Sequence, residues 1–257
     1  MKAMIFAAGM GTRLANTTRN IPKALVPVNG IPVIQIAIEK LKFHNFNQII
    51  VNVFHFPDQI RQFLEANHNF GADIAISDES DGLLETGGGL KRASRFFKGE
   101  RAFLAYNVDI ITDLNLQKVF DYHMHSNALA TLVVRQRTTK RYLLSDDNNT
   151  LCGWKNTSAG EQEMVRKPVG RLKSFGFSGI HVINPSIFDL MNGREVFPIM
   201  DTYLNIASDY KILTYNHDNG FWLEIGNNKR LQEAELFFKN KDIITSIRGT
   251  VFPKGYL

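Results

Sequence analysis

Met1 to Leu14 read MKAMIFAAGMGTRL, and the step from apolar run to glycine loop decides the fold. Ala3–Ala8 is short and apolar, suited to a buried strand. It is too short for a signal-peptide core, and a glycine loop follows where a cleavage site would stand. Ala7, Ala8, Gly9, Gly11, Thr12 and Arg13 make up the turn at the strand's carboxyl end. Gly9 and Gly11 lack a Cβ, which lets the backbone approach a ligand closely. Successive N–H groups in such a loop form a nest for an anion. The plain alternative is a tight strand-to-helix turn. The loop is no dinucleotide fingerprint, because Leu14 stands where G-x-G-x-x-G needs its last glycine, and no G-K-[ST] follows to make it a P-loop.

Working outward, helix-like and strand-like segments alternate. Helical spacing covers Val33–Phe43, Pro57–Ala66, Gly87–Phe97 and Asn115–Ser126; strands are expected at Gln48–Val53, Asp73–Ser77, Ala102–Tyr106 and Ala128–Arg135. Such repetition predicts an α/β fold, doubly wound around a mixed, mostly parallel sheet. After residue 135 the pattern turns β-rich. Tyr142–Ser145 and Leu151–Lys155 bracket the turn Asp146–Asn149, and Phe175–Ile183, Ile212–Tyr215 and Phe221–Ile225 also read as strands. Helices are expected at Pro185–Met191 and Asn228–Phe238, with a further segment at Met200–Ala207. No linker or repeat interrupts the chain. One domain is expected over 1–240, with halves of about 1–135 and 136–240, and a short tail at 241–257.

Composition excludes several classes. Of 257 residues, 44% are hydrophobic and 21% charged, a globular balance that excludes a disordered chain, a collagen or a coiled coil. No apolar run approaches the ~18 residues of a membrane span. Cys152 is the single cysteine, so neither an intrachain disulfide nor a multi-cysteine metal site is available. A reducing, cytoplasmic setting is expected. The net charge of +5 is spread along the chain rather than gathered in a basic tail, which predicts no nucleic-acid partner and no membrane partner. The seven histidines are scattered; His123 and His125 fall on different faces of a helix, and no Ser-His-Asp grouping is visible.

The second motif is Ile21-Pro22-Lys23-Ala24-Leu25-Val26-Pro27-Val28. Pro22 stiffens the backbone before Lys23, a compact charge suited to phosphate. Alone, Lys23 would be a surface lysine; ten residues after Arg13 and beyond an anion nest, it reads as a phosphate ligand.

G-x-G-T-R followed by P-K-x-L-x-P-V resembles the signature of the sugar-1-phosphate nucleotidyltransferases. Leu84-Glu85-Thr86-Gly87-Gly88-Gly89 is similar to the L-E-T-G-G-G segment of the N-acetylmuramate-1-phosphate uridylyltransferase branch. Phe177-Ser178-Gly179-Ile180 and Trp222-Leu223-Glu224-Ile225-Gly226 resemble that branch's F-S-G-I and W-[VL]-D-V-G, and the likeness spans roughly 1–238. The reaction this implies is NTP plus sugar 1-phosphate giving NDP-sugar and pyrophosphate. UTP is the favoured nucleotide; GTP with mannose 1-phosphate or a heptose 1-phosphate is the alternative.

The resemblance also implies roles. The first half would hold the nucleotide and the second the sugar. Ala7, Ala8, Gly9, Gly11, Thr12, Arg13 and Lys23 would bind the triphosphate, and Glu85, Thr86 and Gly87 would lie near base and ribose. Base-edge contacts are expected from Ser77–Asp81. Asp109, in Tyr106-Asn107-Val108-Asp109 at a strand's carboxyl end, matches the Mg²⁺ aspartate of N-G-D, with Asn107 on the sugar and Val108 in place of glycine. Glu224 stands where the pattern has a second metal-binding Asp. Phe177, Ser178 and Gly179 would line the sugar site. Lys167, in Val165-Arg166-Lys167-Pro168, would meet the sugar phosphate, or else belong to a solvated basic hairpin end. Arg13, Lys23 and Asp109 are the expected catalytic residues.

Three other classes compete. A glycosyltransferase would not need Arg13 and Lys23. A non-catalytic nucleotide-sugar sensor is compatible with Glu224 and Val108. An acyltransferase fusion is not expected, since no hexapeptide repeats occur and the chain stops soon after the closing helix.

Overall fold

The computed structural model describes residues 1–14, 17–191 and 193–249. From the amino end come β1 (Lys2–Phe6), the small hairpin β2 (Pro27–Val28) and β3 (Ile31–Pro32), α1 (Val33–Phe43), β4 (Gln48–Val53), α2 (Pro57–Ala66) and β5 (Asp73–Asp78). Next are α3 (Glu85–Arg92), β6 (Phe103–Asn107), β7 (Ile110–Thr112), α4 (Leu116–Met124) and β8 (Ala130–Arg135). The chain continues through β9 (Arg141–Ser145), β10 (Leu151–Asn156), β11 (Glu161–Met164) and β12 (Lys173–Ile183). It closes with α5 (Ile199–Ile206), β13 (Ile212–Asn216), β14 (Trp222–Glu224), α6 (Asn228–Phe237) and α7 (Ile243–Ile247). Among the described residues, no helix is long and apolar enough to cross a membrane.

These elements gather into two compact units interleaved in sequence. The first holds Met1–Leu83, Tyr106–Leu116 and the chain from Asn219 on; the second holds Leu84–Ala105 and Gln117–Asp218. No single cut near residue 135 separates them.

In the first unit β4 lies between β1 and β5, parallel to both, with Phe6 opposite Asn52 and Val53 opposite Asp78. Five of the six β4 residues are buried, as expected for a strand flanked on both edges in a parallel sheet. Pro57 opens α2 and Asp58 sits in its first turn, while Ile60 and Leu64 bury one face at helical spacing. Residues 243–247, assigned from sequence to a tail, form α7, whose N-cap Asp242 accepts from Thr245 N at 2.6 Å. The fully buried Lys40 of α1 donates to the Ile247 carbonyl at the other end of that helix. Burial lowers the Lys40 pKa to about 7 against the pull of Asp113. Residues 250–257 of the expected tail lie outside the described residues.

The second unit is mainly antiparallel. β12 pairs with β9 through Lys173–Phe175 and with β8 from Gly176 on, and its register breaks between Phe177 and His181. Gly179, with φ of +75°, lies in that break. β9, β10 and β11 extend the antiparallel ladder, and β13 runs parallel to β8. Two expected helices are shorter or tighter than their spacing suggested. Gly87–Phe97 divides into α3 and a 3₁₀ turn at Ser94–Phe97. Pro185–Leu190 is 3₁₀, started by the Asn184 side chain accepting from Ser186 N.

Candidate active site

The glycine loop leaves β1 in the first unit with both flanks pinned. The Phe6 carbonyl accepts from Val108 N at 3.1 Å, and Ala7 N donates to Asn52 Oδ1 at 2.7 Å. Ala7 and Ala8 are buried, whereas Gly9, Thr12 and Arg13 are exposed. A Cβ on Gly9 would meet nothing within 4 Å, so the loop is open on that side. Gly11 is different. Its φ is +65°, and a Cβ there would lie 2.9 Å from Thr18 Cγ2 and 3.1 Å from Lys23 Cβ. Its carbonyl accepts from Leu14 N at 2.8 Å and from Thr18 Oγ1 at 3.0 Å. Glycine is needed at position 11 for its backbone angle and because the loop runs directly over Lys23.

Lys23 begins a 3₁₀ turn after Pro22, whose φ is −66°. Its ammonium pairs with Asp109 Oδ2, 86 residues away in sequence. Both side chains are mostly buried, at 14% and 11% exposure, which strengthens the pairing relative to one in water. Asp109 lies between β6 and β7, and three bonds shape its turn. Val108 N holds Phe6, Tyr106 Oη donates to the Ile110 carbonyl at 2.9 Å, and Ile225 N donates to the Asp109 carbonyl at 2.8 Å. Burial, and then the Asp109 charge, push the Tyr106 phenol far up, so it stays a donor. Val108 is 4% exposed, so the valine that replaces the pattern's glycine is a core side chain beside the end of β1.

Glu224 ends β14 and pairs with Ile110 across the two-stranded ladder, diagonal to Asp109. It is half-buried and, among the described residues, makes no ion pair. A Cβ on Gly226 would lie 3.5 Å from Arg13 Nη2 and 3.6 Å from Glu224 Oε1, so guanidinium and carboxylate flank that glycine. Among the described residues, no three His, Cys, Asp or Glu side chains gather at one point. Asp109 and Glu224 are hard oxygen donors, the type a divalent cation takes together with phosphate and water, and Lys23 engages Asp109 Oδ2 in this structure. Asn107 closes β6, partly exposed.

Of the remaining sequence-derived residues, Ser77–Asp81 lie in the first unit and the others in the second. Glu85 is exposed with φ of +59°, a left-handed angle unusual for a side chain of its size. Thr86 Oγ1 accepts from Ile199 N at 3.0 Å, and Gly87 N donates to the Phe197 carbonyl at 2.8 Å. The Thr86 hydroxyl and the Gly87 amide are therefore engaged in packing α3 against the segment before α5. Ser178 and Gly179 are buried on β12, and the Phe177 carbonyl accepts from Arg137 Nη2 at 3.0 Å. Lys167 is exposed and, among the described residues, without an ion pair; its neighbour Arg166 donates to the Ser208 carbonyl at 2.9 Å. Within Ser77–Asp81, only Ser80 and Asp81 are exposed, and Glu79 is completely buried.

Sequence reasoning passed over Asn52 and the Tyr106 hydroxyl, which fix the two turns of the site. The signal for Asn52 is there: one polar residue in the apolar strand IIVNV.

The profile of the nucleotidyl transferase family matches residues 2–241. The chain belongs to that family. It is 29% identical over 235 residues to an N-acetylmuramate alpha-1-phosphate uridylyltransferase of Neisseria meningitidis, covering 91% of this chain and 97% of that protein. It is also 29% identical over 241 residues to a UTP–glucose-1-phosphate uridylyltransferase of Synechocystis, covering 88% of this chain but only 60% of the longer relative. Among solved structures, a Bacillus anthracis protein described as a glucose-1-phosphate thymidylyltransferase, crystallised with sucrose, superposes with a TM-score of 0.77. That likeness has 18% identity and covers 99% of this chain and 98% of the other, which establishes the shared fold. The expected α/β class and family are both borne out.

Proposed function

We propose that the chain transfers the uridylyl group of UTP to a sugar 1-phosphate, giving a UDP-sugar and pyrophosphate. The observation that carries this reading is the meeting of Lys23 and Asp109 directly beneath the Gly9–Arg13 loop. A cation, a carboxylate and a glycine loop rich in backbone N–H groups suit a polyphosphate and its metal ion. The two relatives named above, both uridylyltransferases, favour UTP.

In this reading Gly9 to Thr12 cradle the triphosphate with backbone N–H groups, the buried Ala7 and Ala8 hold the base of that loop, and Arg13 adds a planar donor fork. Lys23 shifts its three donors from Asp109 to the α-phosphate as nucleotide arrives. Asp109 and Glu224 would hold Mg²⁺, which would neutralise phosphate charge and polarise the α-phosphorus. A phosphate oxygen of the sugar 1-phosphate attacks that phosphorus. The bond to the bridging oxygen of the β-phosphate breaks, and its electron pair leaves with pyrophosphate. No protein nucleophile is required, so the chain's work is alignment and charge neutralisation. Asn107, Lys167, Phe177, Ser178 and Gly179 are assigned to the sugar side, and Glu85 to Gly87 to base and ribose.

The test is a pyrophosphate-release screen of four NTPs against a panel of sugar 1-phosphates with Mg²⁺, including glucose 1-phosphate and N-acetylmuramate 1-phosphate. Turnover with UTP above the other nucleotides is expected. Turnover with GTP and mannose 1-phosphate alone would replace the uridylyl assignment, and UTP binding without turnover on any sugar would favour a sensor.

A further inference from the structure

We propose that Glu79, acting through Asn52, is a positioning residue that holds the glycine loop in its anion-binding shape. The inference rests on the reading of that loop as the triphosphate site. The ladder between β1 and β4 ends where Phe6 faces Asn52. Ala7 then turns out of the sheet while still only 3% exposed, so its N–H needs an acceptor that no strand supplies. Asn52 Oδ1 supplies it at 2.7 Å. Because Ala7 N can only donate, this bond fixes which way the Asn52 amide points. Its Nδ2 group then faces inward and must find an acceptor of its own. It donates to Glu79 Oε1 at 2.7 Å.

Glu79 is completely buried and Asn52 is 2% exposed, so a broken link here could not be made good by water. Glu79 is itself anchored: its N–H donates to the Val53 carbonyl at 2.8 Å, and its carbonyl accepts from Gly82 N at 2.9 Å. The order of donors and acceptors, Ala7 N–H to Asn52 to Glu79, carries the position of β5's end to the first residue of the loop. On the other side, the Phe6 carbonyl is held by Val108 N at 3.1 Å, next to Asp109. One peptide unit, Phe6–Ala7, thus ties the loop to the turn that carries the proposed metal ligand. A buried acid within the stretch expected to touch the base edge therefore serves the phosphates instead.

The test exchanges the partners' chemistry. Asn52→Asp can still accept from Ala7 N but cannot donate to Glu79, and it sets two carboxylates against each other. Glu79→Gln keeps an acceptor oxygen for Asn52. Combining the two makes the glutamine amide the donor and the new aspartate the acceptor of both bonds. Three readouts are needed: UTP affinity, amide hydrogen exchange at Ala7 against Ile5 within β1, and the melting temperature. Glu79→Gln, which keeps an acceptor for Asn52, should change exchange at Ala7 less than Asn52→Asp does. Asn52→Asp should weaken UTP binding by about tenfold or more and speed exchange at Ala7 far more than at Ile5. The double variant should restore both to within about threefold.

Equal exchange changes at Ala7 and Ile5, or a double variant no better than Asn52→Asp, would overturn the proposal. If Asn52→Asp does not fold, Asn52→Ala takes its place with the same contrast between Ala7 and Ile5, and recovery of fold and UTP affinity in the double variant is still required. If the wild-type protein bound no UTP, the proposed function would fall, and exchange at Ala7 would still decide whether the relay holds the loop.

Discussion

Two glycine-rich segments, Gly9 to Gly11 in the first unit and Gly87 to Gly89 in the second, look alike in sequence and differ in what surrounds them. At Gly9 an added Cβ would meet open space. At Gly87 it would fall 2.3 Å from the Phe197 ring and 2.7 Å from the Phe197 carbonyl, and at Gly88 2.0 Å from the Glu195 carbonyl. At Gly9 the space a side chain would take is open, whereas at Gly87 and Gly88 the protein's own Phe197 and Glu195 fill it. The difference separates a position open to a ligand from a segment packed against its own chain.

The comparison between the units can be broken first with acid. Burial lowers the His181 pKa to about 3 and the His123 pKa to about 4, both in the second unit. In the first unit burial, helped by Lys40, lowers His44 to about 4. Each is a base whose neutral form the fold prefers, so the unfolded chain binds more protons below its ordinary value of about 6.5. The stability is fully present above that value and is lost as pH falls toward 4 and 3. At pH 5 each histidine should cost about 2 kcal/mol, so the second unit loses roughly twice what the first does. Hydrogen exchange at pH 7 and pH 5 should show β8 and β12 loosening more than β1 and β4. Equal loosening would contradict the assignment of buried neutral imidazoles.

A smaller effect separates the two glycine segments directly. Gly88→Ala forces a methyl group into the Glu195 backbone and should cost about 1–3 kcal/mol or more, read as a lower midpoint in urea. An unchanged midpoint would show that α3 does not pack as described. The smallest stability effect belongs to Gly9→Ala. It should shift stability by less than about 0.5 kcal/mol, since nothing stands where the methyl goes. UTP affinity should nonetheless fall by about tenfold, as one charge-assisted contact is lost. Unchanged UTP affinity would move the triphosphate away from this loop.

Much of this was legible in the sequence because it rests on local rules. Pro57 marked the start of α2, and the Ile-Val run of β4 marked a buried strand. Asp109 at a strand's carboxyl end was legible for the same reason. What escaped depends on contacts distant in sequence. Nothing local to Gly88 announces Glu195, and nothing local to Asn52 announces Glu79, 27 residues on. β11 was invisible because all four of its residues are exposed, so it shows no apolar alternation. α7 was read as tail because its five residues gain their place from Lys40, 207 residues earlier than the carbonyl it binds.

Asp109, paired with Lys23 under the glycine loop, is proposed to serve nucleotidyl transfer rather than the fold. Pyrophosphate release by Asp109→Asn, on the best nucleotide and sugar 1-phosphate pair with Mg²⁺, tests it most directly. The expected rate is lower by about 10²-fold or more, with the melting temperature within a few degrees of wild type. Wild-type turnover by folded Asp109→Asn would contradict it.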